Sequence, residues 1–100
     1  MKTTVQEIDG KLVATLSGEM DTAASIEAEA ALQPLSGSAG NDVVIDCTEL
    51  EYIASSGFRV LLNILKKVKA GGSRIVLKNV NDVIRDVLEL TGFISLFEFE

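Results

Sequence analysis

Histidine is absent from these 100 residues, and cysteine and proline occur once each. Without an imidazole there is no Ser-His-Asp or Cys-His catalysis, and one thiol cannot complete a zinc site of the usual nitrogen-and-sulfur kind. Cys47 has no partner for an internal disulfide, which agrees with a reducing compartment. It ends an apolar run and reads as a small buried hydrophobe rather than a reactive thiol. No apolar run approaches the ~20 residues of a membrane span, and Met1-Lys2-Thr3-Thr4-Val5 lacks the basic-then-apolar shape of a signal peptide. Neither GxGxxG nor GxxxxGK(S/T) occurs, so the standard phosphate-cradling loops are missing. The expectation is a cytoplasmic, non-enzymatic protein with no metal, no cofactor and no membrane insertion.

Positive charge is scarce too. Nine Lys and Arg face fifteen Asp and Glu, a net charge of −6, which argues against nucleic acid and anionic membrane surfaces. Lys66, Lys67, Lys69 and Arg74 cluster near the end of a predicted helix, where cations complement the dipole. With 47% hydrophobic and 24% charged residues, the chain fits one domain over residues 1–100 with a single core.

Asp9-Gly10 between the strand-like runs Thr3 to Ile8 and Lys11 to Leu16 predicts a hairpin. Gly18-Glu19-Met20-Asp21 breaks the second run. Asp21 or Thr22 then caps an alanine-rich helix whose apolar side is expected at Ile26, Ala30 and Leu32. Pro34 ends or kinks that helix, and Ser36-Gly37-Ser38-Ala39-Gly40 reads as a small loop. Val43 to Cys47 is a buried strand, with Asp46 satisfied by nearby backbone. A helix from about Gly57 to Ala70 buries Phe58, Leu61, Leu65 and Val68, with Leu62 beside them. Gly71-Gly72 stops it, and a strand follows around Ile75-Val76-Leu77. Asn81 caps a third helix with Val80, Val83, Ile84, Val87 and Leu88 at helical spacing, Gly92 closes it, and Phe93 to Phe99 forms a last strand. The order β-β-α-β-α-β-α-β gives the α/β class: a mixed sheet with an N-terminal β-hairpin, then α-β-α-β-α-β, helices packed on the sheet.

The most informative stretch is Tyr52-Ile53-Ala54-Ser55-Ser56-Gly57-Phe58-Arg59-Val60-Leu61-Leu62. It places two hydroxyls on a strand-to-helix turn, where helical N–H groups lack partners and a new negative charge is tolerated. From spacing alone Ser56 is a helix N-cap, worth about 1 kcal/mol. Ser55 supports the turn, and Gly57 permits close backbone approach. Val60 falls nearly opposite the core stripe, with Ile64 on its flank. Either they are exposed and form an apolar ridge one turn from Ser56, with Arg59 between ridge and turn, or they pack beneath the neighbouring helix.

These segments, in this order, resemble the STAS domain family, the fold of bacterial anti-sigma factor antagonists. The likeness runs from the hairpin to Phe99. It is carried by Gly18-Glu19-Met20-Asp21, Val43-Val44-Ile45-Asp46, Tyr52 to Phe58 and Leu90-Thr91-Gly92-Phe93. The resemblance implies that Ser56, immediately before the glycine, is the phosphoacceptor, with Asp21, Thr22, Ser55 and Gly57 around it. It implies as partners an anti-sigma factor that is also a serine kinase, and a PP2C-type phosphatase that reverses the modification. Phe58, Arg59, Val60 and Ile64 are the expected docking residues. The chain departs from the pattern at Ala54, where many phosphorylated members carry aspartate. A non-phosphorylated ligand-sensing or transporter-accessory module of the same family is the alternative.

Overall fold

A computed structural model describes residues 1–36 and 41–100. Strands β1 (Lys2–Ile8) and β2 (Lys11–Met20) form an antiparallel hairpin. Its two-residue turn uses Asp9 at φ 52° and Gly10 at φ 78°, the pair of left-handed residues that a type I′ hairpin requires. Then come α1 (Thr22–Ala31), the short α2 (Gln33–Ser36) that contains Pro34, β3 (Val43–Ile53), α3 (Ser55–Ala70), β4 (Ile75–Lys78) and α4 (Asp82–Thr91). A 3-10 turn (Phe93–Leu96) and a two-residue strand, β5 (Glu98–Phe99), replace the longer last strand expected from Phe93 onward. The five strands lie in chain order, β1 antiparallel to β2 and the rest parallel, which is the mixed sheet the sequence predicts. The predicted loop from Ser36 to Gly40 falls, from Gly37 on, outside the described residues.

β3 runs six residues beyond the expected end at Cys47. Its register against β2 shifts between Thr15 and Ser17 and again between Gly18 and Glu19, each time fitting an extra β3 residue. Burial follows those shifts: Val43, Ile45 and Cys47 alternate inward, then Leu50 and Ile53 follow at intervals of three. Burial, with a smaller push from Asp46, raises the Cys47 thiol to about 12, so it is held as the neutral thiol. Asp46 accepts from the hydroxyl and the backbone N–H of Thr48, and the hydroxyl chiefly holds its carboxyl below the usual range. The backbone bond was expected, but the larger share from a side chain, and the place of Asp46 inside β3 instead of at a strand end, were not.

The stripe Phe58, Leu61, Leu65 and Val68 is buried and Leu62 half-buried, as helical spacing predicts. Val60 and Ile64 are 5% and 4% exposed and belong to the core, so they pack beneath the neighbouring helix, and the exposed ridge and docking role expected of them are corrected. α3 meets β3 and β4 on one side and α1 and α2 on the other, so its buried arc is far wider than one stripe. Phe58 likewise points inward, away from any docking partner. α1 is also turned from its expected orientation. Leu32, just past its end, is buried as predicted, but Ala24, Ser25 and Ala28 face inward while Ile26 and Ala30 face solvent. Small inward side chains let α1 seat closely on α3.

α4 follows its sequence signals at both ends. The Asn81 side chain accepts from the Ile84 N–H at 2.9 Å, and Gly92 ends the helix at φ 77°. Ile84 and Leu88 are buried, Val80 and Val87 half-buried, and Val83 exposed. Lys67 and Lys69 occupy the last turn of α3 as dipole complementation expects, whereas Arg74 pairs with Glu98 at 3.1 Å.

Candidate functional site

α1 and α3 start side by side because the strands that feed them are paired. Met20 lies opposite Ile53, and the Ala54 N–H donates to the Met20 carbonyl at 2.9 Å. Two helix N-termini, each a locus of partial positive charge, therefore share one end of the sheet. α1 is capped: the Asp21 carboxylate accepts from the Ala24 N–H at 2.8 Å. α3 is not, since its N-cap is Ala54, which has no side-chain acceptor to offer.

α3 begins at Ser55, two residues earlier than helical spacing predicts. Ser56 accordingly lies inside the first turn, and the N-cap role expected for it is corrected. Ser55 is exposed and Ser56 half-buried. Gly57 is buried, and an added Cβ would come within 2.6 Å of Ile53 Cγ1 and 3.1 Å of the Met20 side chain. Its backbone φ is not left-handed, so close approach to the strand ends is what demands glycine here. The bare N-cap carries a prediction. Ala54→Asp supplies the missing acceptor and is expected to stabilise the fold by about 1 kcal/mol. That corresponds to a thermal midpoint about 4–8 °C higher in a circular-dichroism melt; an unchanged midpoint would mean that the α3 start is satisfied in another way.

A cavity of about 170 Å³ opens between α1 and α3. Thr22, Ser25 and Ile26 line it from α1, and Ser56 and Arg59 from α3, with the buried Val60 at its base. Glu29 and Asn63 complete the lining. Ser56 Oγ lies 3.3 Å from Ser25 Oγ, whose hydroxyl donates to the Asp21 carbonyl at 2.7 Å. Arg59 is exposed and also borders a second concavity with Ser55, Leu62 and Phe93. Of the residues singled out from sequence, Asp21, Thr22, Ser55, Ser56, Gly57 and Arg59 gather here, while Phe58, Val60 and Ile64 form the packing beneath. Ser25, Glu29 and Asn63 were not singled out, and Ile26 was assigned to the buried side of the helix instead of this cavity. Ser25 alone had a sequence signal, a hydroxyl four residues after a capping aspartate in a run of alanines. Among the described residues, no group of three or more Cys, Asp or Glu is placed to hold a metal ion, and no helix is long and apolar enough to cross a membrane.

The STAS domain model matches residues 2–100. The chain belongs to the STAS domain family. Among its STAS relatives is BtrV of Bordetella bronchiseptica, a candidate anti-sigma factor antagonist. BtrV is 36% identical over 97 residues, which cover 97% of this chain and 84% of BtrV. A solved anti-sigma factor antagonist from Mycobacterium paratuberculosis superposes with a TM-score of 0.82 at 27% identity, covering 98% of this chain and 83% of its own. The fold is also that of SpoIIAA in its unphosphorylated form (TM-score 0.76, 18% identity, 99% and 87% covered). Bacillus SpoIIAA in the phosphorylated form fits equally well (TM-score 0.75, 19% identity, 99% and 91% covered).

Proposed function

We propose that this STAS protein is an anti-sigma factor antagonist, a cytoplasmic binding protein rather than an enzyme. Its docking surface is the shared start of α1 and α3, and its partner is an anti-sigma factor with serine-kinase activity. The kinase transfers the γ-phosphoryl group of a nucleoside triphosphate to Ser56. The bond to the departing diphosphate breaks, the Ser56 Oγ–P bond forms, and the hydroxyl proton leaves to a base on the partner. A PP2C-type phosphatase restores the hydroxyl by hydrolysis.

The observation that carries this reading is the place of Ser56: a half-buried hydroxyl in the first turn of an uncapped helix, on the wall of an open cavity. Phosphorylation adds about −1.5 to −2 charges, which the helix start tolerates, so the fold persists. The switch acts on the partner instead, through bulk and charge at a surface that must dock closely. Likeness to BtrV over nearly the whole chain supports the function class.

The test is intact-mass analysis after incubation with the cognate kinase and ATP, followed by binding measurements. One phosphate should appear on the wild type and none on Ser56→Ala. Ser56→Asp should bind the anti-sigma factor several hundred-fold more weakly, a loss of about 3–4 kcal/mol. Equal binding by phosphorylated and unmodified protein overturns the switch.

A further inference from the structure

We infer that Ser25 is a positioning residue for Ser56: its buried hydroxyl orients the Ser56 side chain and passes modification of Ser56 on to the first turn of α1. The inference rests on Ser56 being the modified residue. Ser25 is 2% exposed, and with Ser73 it is one of two buried polar side chains among the described residues. Its neighbours on the inward face of α1 are Ala24 and Ala28, so an alanine would fit the helix and avoid burying a hydroxyl. A serine at this place is worth asking about.

Its proton is accounted for. A carbonyl oxygen can only accept, so in the 2.7 Å contact with the Asp21 carbonyl Ser25 must be the donor. This is the back-bond to residue i−4 that serines commonly make within helices. Having spent its one proton, Ser25 Oγ can only accept from Ser56, 3.3 Å away. The direction of the pair is thus fixed. The Ser56 proton points toward α1 and its lone pairs are left for the cavity. Among the described residues this is the one hydrogen bond that joins a side chain of α1 to a side chain of α3. It is long and easily broken, as suits a group that must react. Ser55 borders the other concavity and has no comparable tether, so the two adjacent hydroxyls are not equivalent.

Phosphorylation removes the proton on which this arrangement depends. As an ester oxygen, Ser56 Oγ no longer donates, and the dianionic phosphate offers only acceptors. Ser25 is the buried hydroxyl already in contact with Ser56 Oγ. A charge-assisted bond to phosphate outcompetes a neutral one to a carbonyl, so the Ser25 proton turns from Asp21 to the phosphate. The Asp21 carbonyl then keeps only the Ser25 N–H at 2.9 Å. The first turn of α1 loses a bond, on the helix that carries Ile26 and Glu29 to the same cavity. Of the charged groups there, Arg59 favours the phosphate, and Glu29 and the capping Asp21 oppose it.

The experiment uses the whole chain with phosphoserine placed at position 56 during translation, in the wild type and in Ser25→Ala, each checked for an intact melt. Phosphorus NMR titration should give a second phosphate pKa about one unit lower in the wild type, because a hydroxyl donor favours the dianion. Exchange of the Ser25 amide, which shares the Asp21 carbonyl with the Ser25 hydroxyl, should respond to phosphoserine several-fold more in the wild type than in Ser25→Ala. A phosphate pKa equal in the two proteins, or α1 exchange indifferent to the phosphate, overturns the inference. Since no kinase is used, failure here leaves the partner-switch function standing, and failure of the kinase assay leaves this test intact.

Discussion

Gly57→Val is expected to lower the thermal midpoint by roughly 12–24 °C, a loss of about 3 kcal/mol. The cause is the seating of α3 on the strand ends. A Cβ at residue 57 meets Ile53 Cγ1 at 2.6 Å and Met20 Cγ and Sδ at 3.1 Å, and none of these is the free tip of a side chain. Overpacking of this kind typically costs about 1–3 kcal/mol. For Gly57→Ala, the better helix propensity of alanine returns up to about 1 kcal/mol of that. Valine adds two carbons to the same space and, being β-branched, gains less as a helix former, so its net cost lies at the upper end. A circular-dichroism melt of both variants decides the matter. The expected order is wild type, then Ala, then Val, and a midpoint unchanged in Val would show that the contact can relax freely.

The second large effect comes from a pair of isoleucines with opposite fates. Ile64 is 4% exposed, and Ile64→Asp buries a carboxylate among Phe58, Leu61 and their neighbours without a partner. About 4 kcal/mol or more is at stake, comparable to the whole stability of a small domain, so its cooperative melt should be lost or strongly depressed. Ile26 is 71% exposed on the rim of the α1–α3 cavity. Ile26→Asp should leave stability within about 0.5 kcal/mol of the wild type. Binding of the anti-sigma factor should weaken by about 30-fold or more, the loss of roughly 2 kcal/mol that marks an interfacial anchor. Calorimetry on the folded variant checks both numbers. A folded Ile64→Asp with weakened binding, beside an Ile26→Asp that binds normally, would return the docking surface to the face of α3 first read from sequence.

Where a local chemical signal was strong, the fold could be read in advance. Asp9-Gly10 announced its hairpin because few residue pairs accept two left-handed backbones in succession. Asn81 and Gly92 bracketed α4 because a side-chain acceptor and a positive φ are sequence-encoded stops. The start of α3 was misplaced for the converse reason: Ala54 offers no cap to read, and only packing against Met20 and Ile53 sets the boundary. Val60 and Ile64 were misjudged because a helical wheel assumes one covered face, and α3 is covered on two. α1 has little contrast between its sides, so its orientation depends on α3 and could not be drawn from α1 alone. Of the site, the hydroxyl at Ser56 was legible and Ser25 left a faint local signal, whereas the place of Ile26 becomes visible only once two helices are brought together.

The close fit of Gly57 against the strand ends has a mechanical corollary. The first turn of α3 rests on the sheet like a die on its anvil, with no slack behind it. A phosphate arriving at Ser56 cannot be absorbed by backing that turn away. The added volume would have to press outward, against the neighbouring α1 and anything docked there, so the rigidity of the receiving segment would carry the proposed signal.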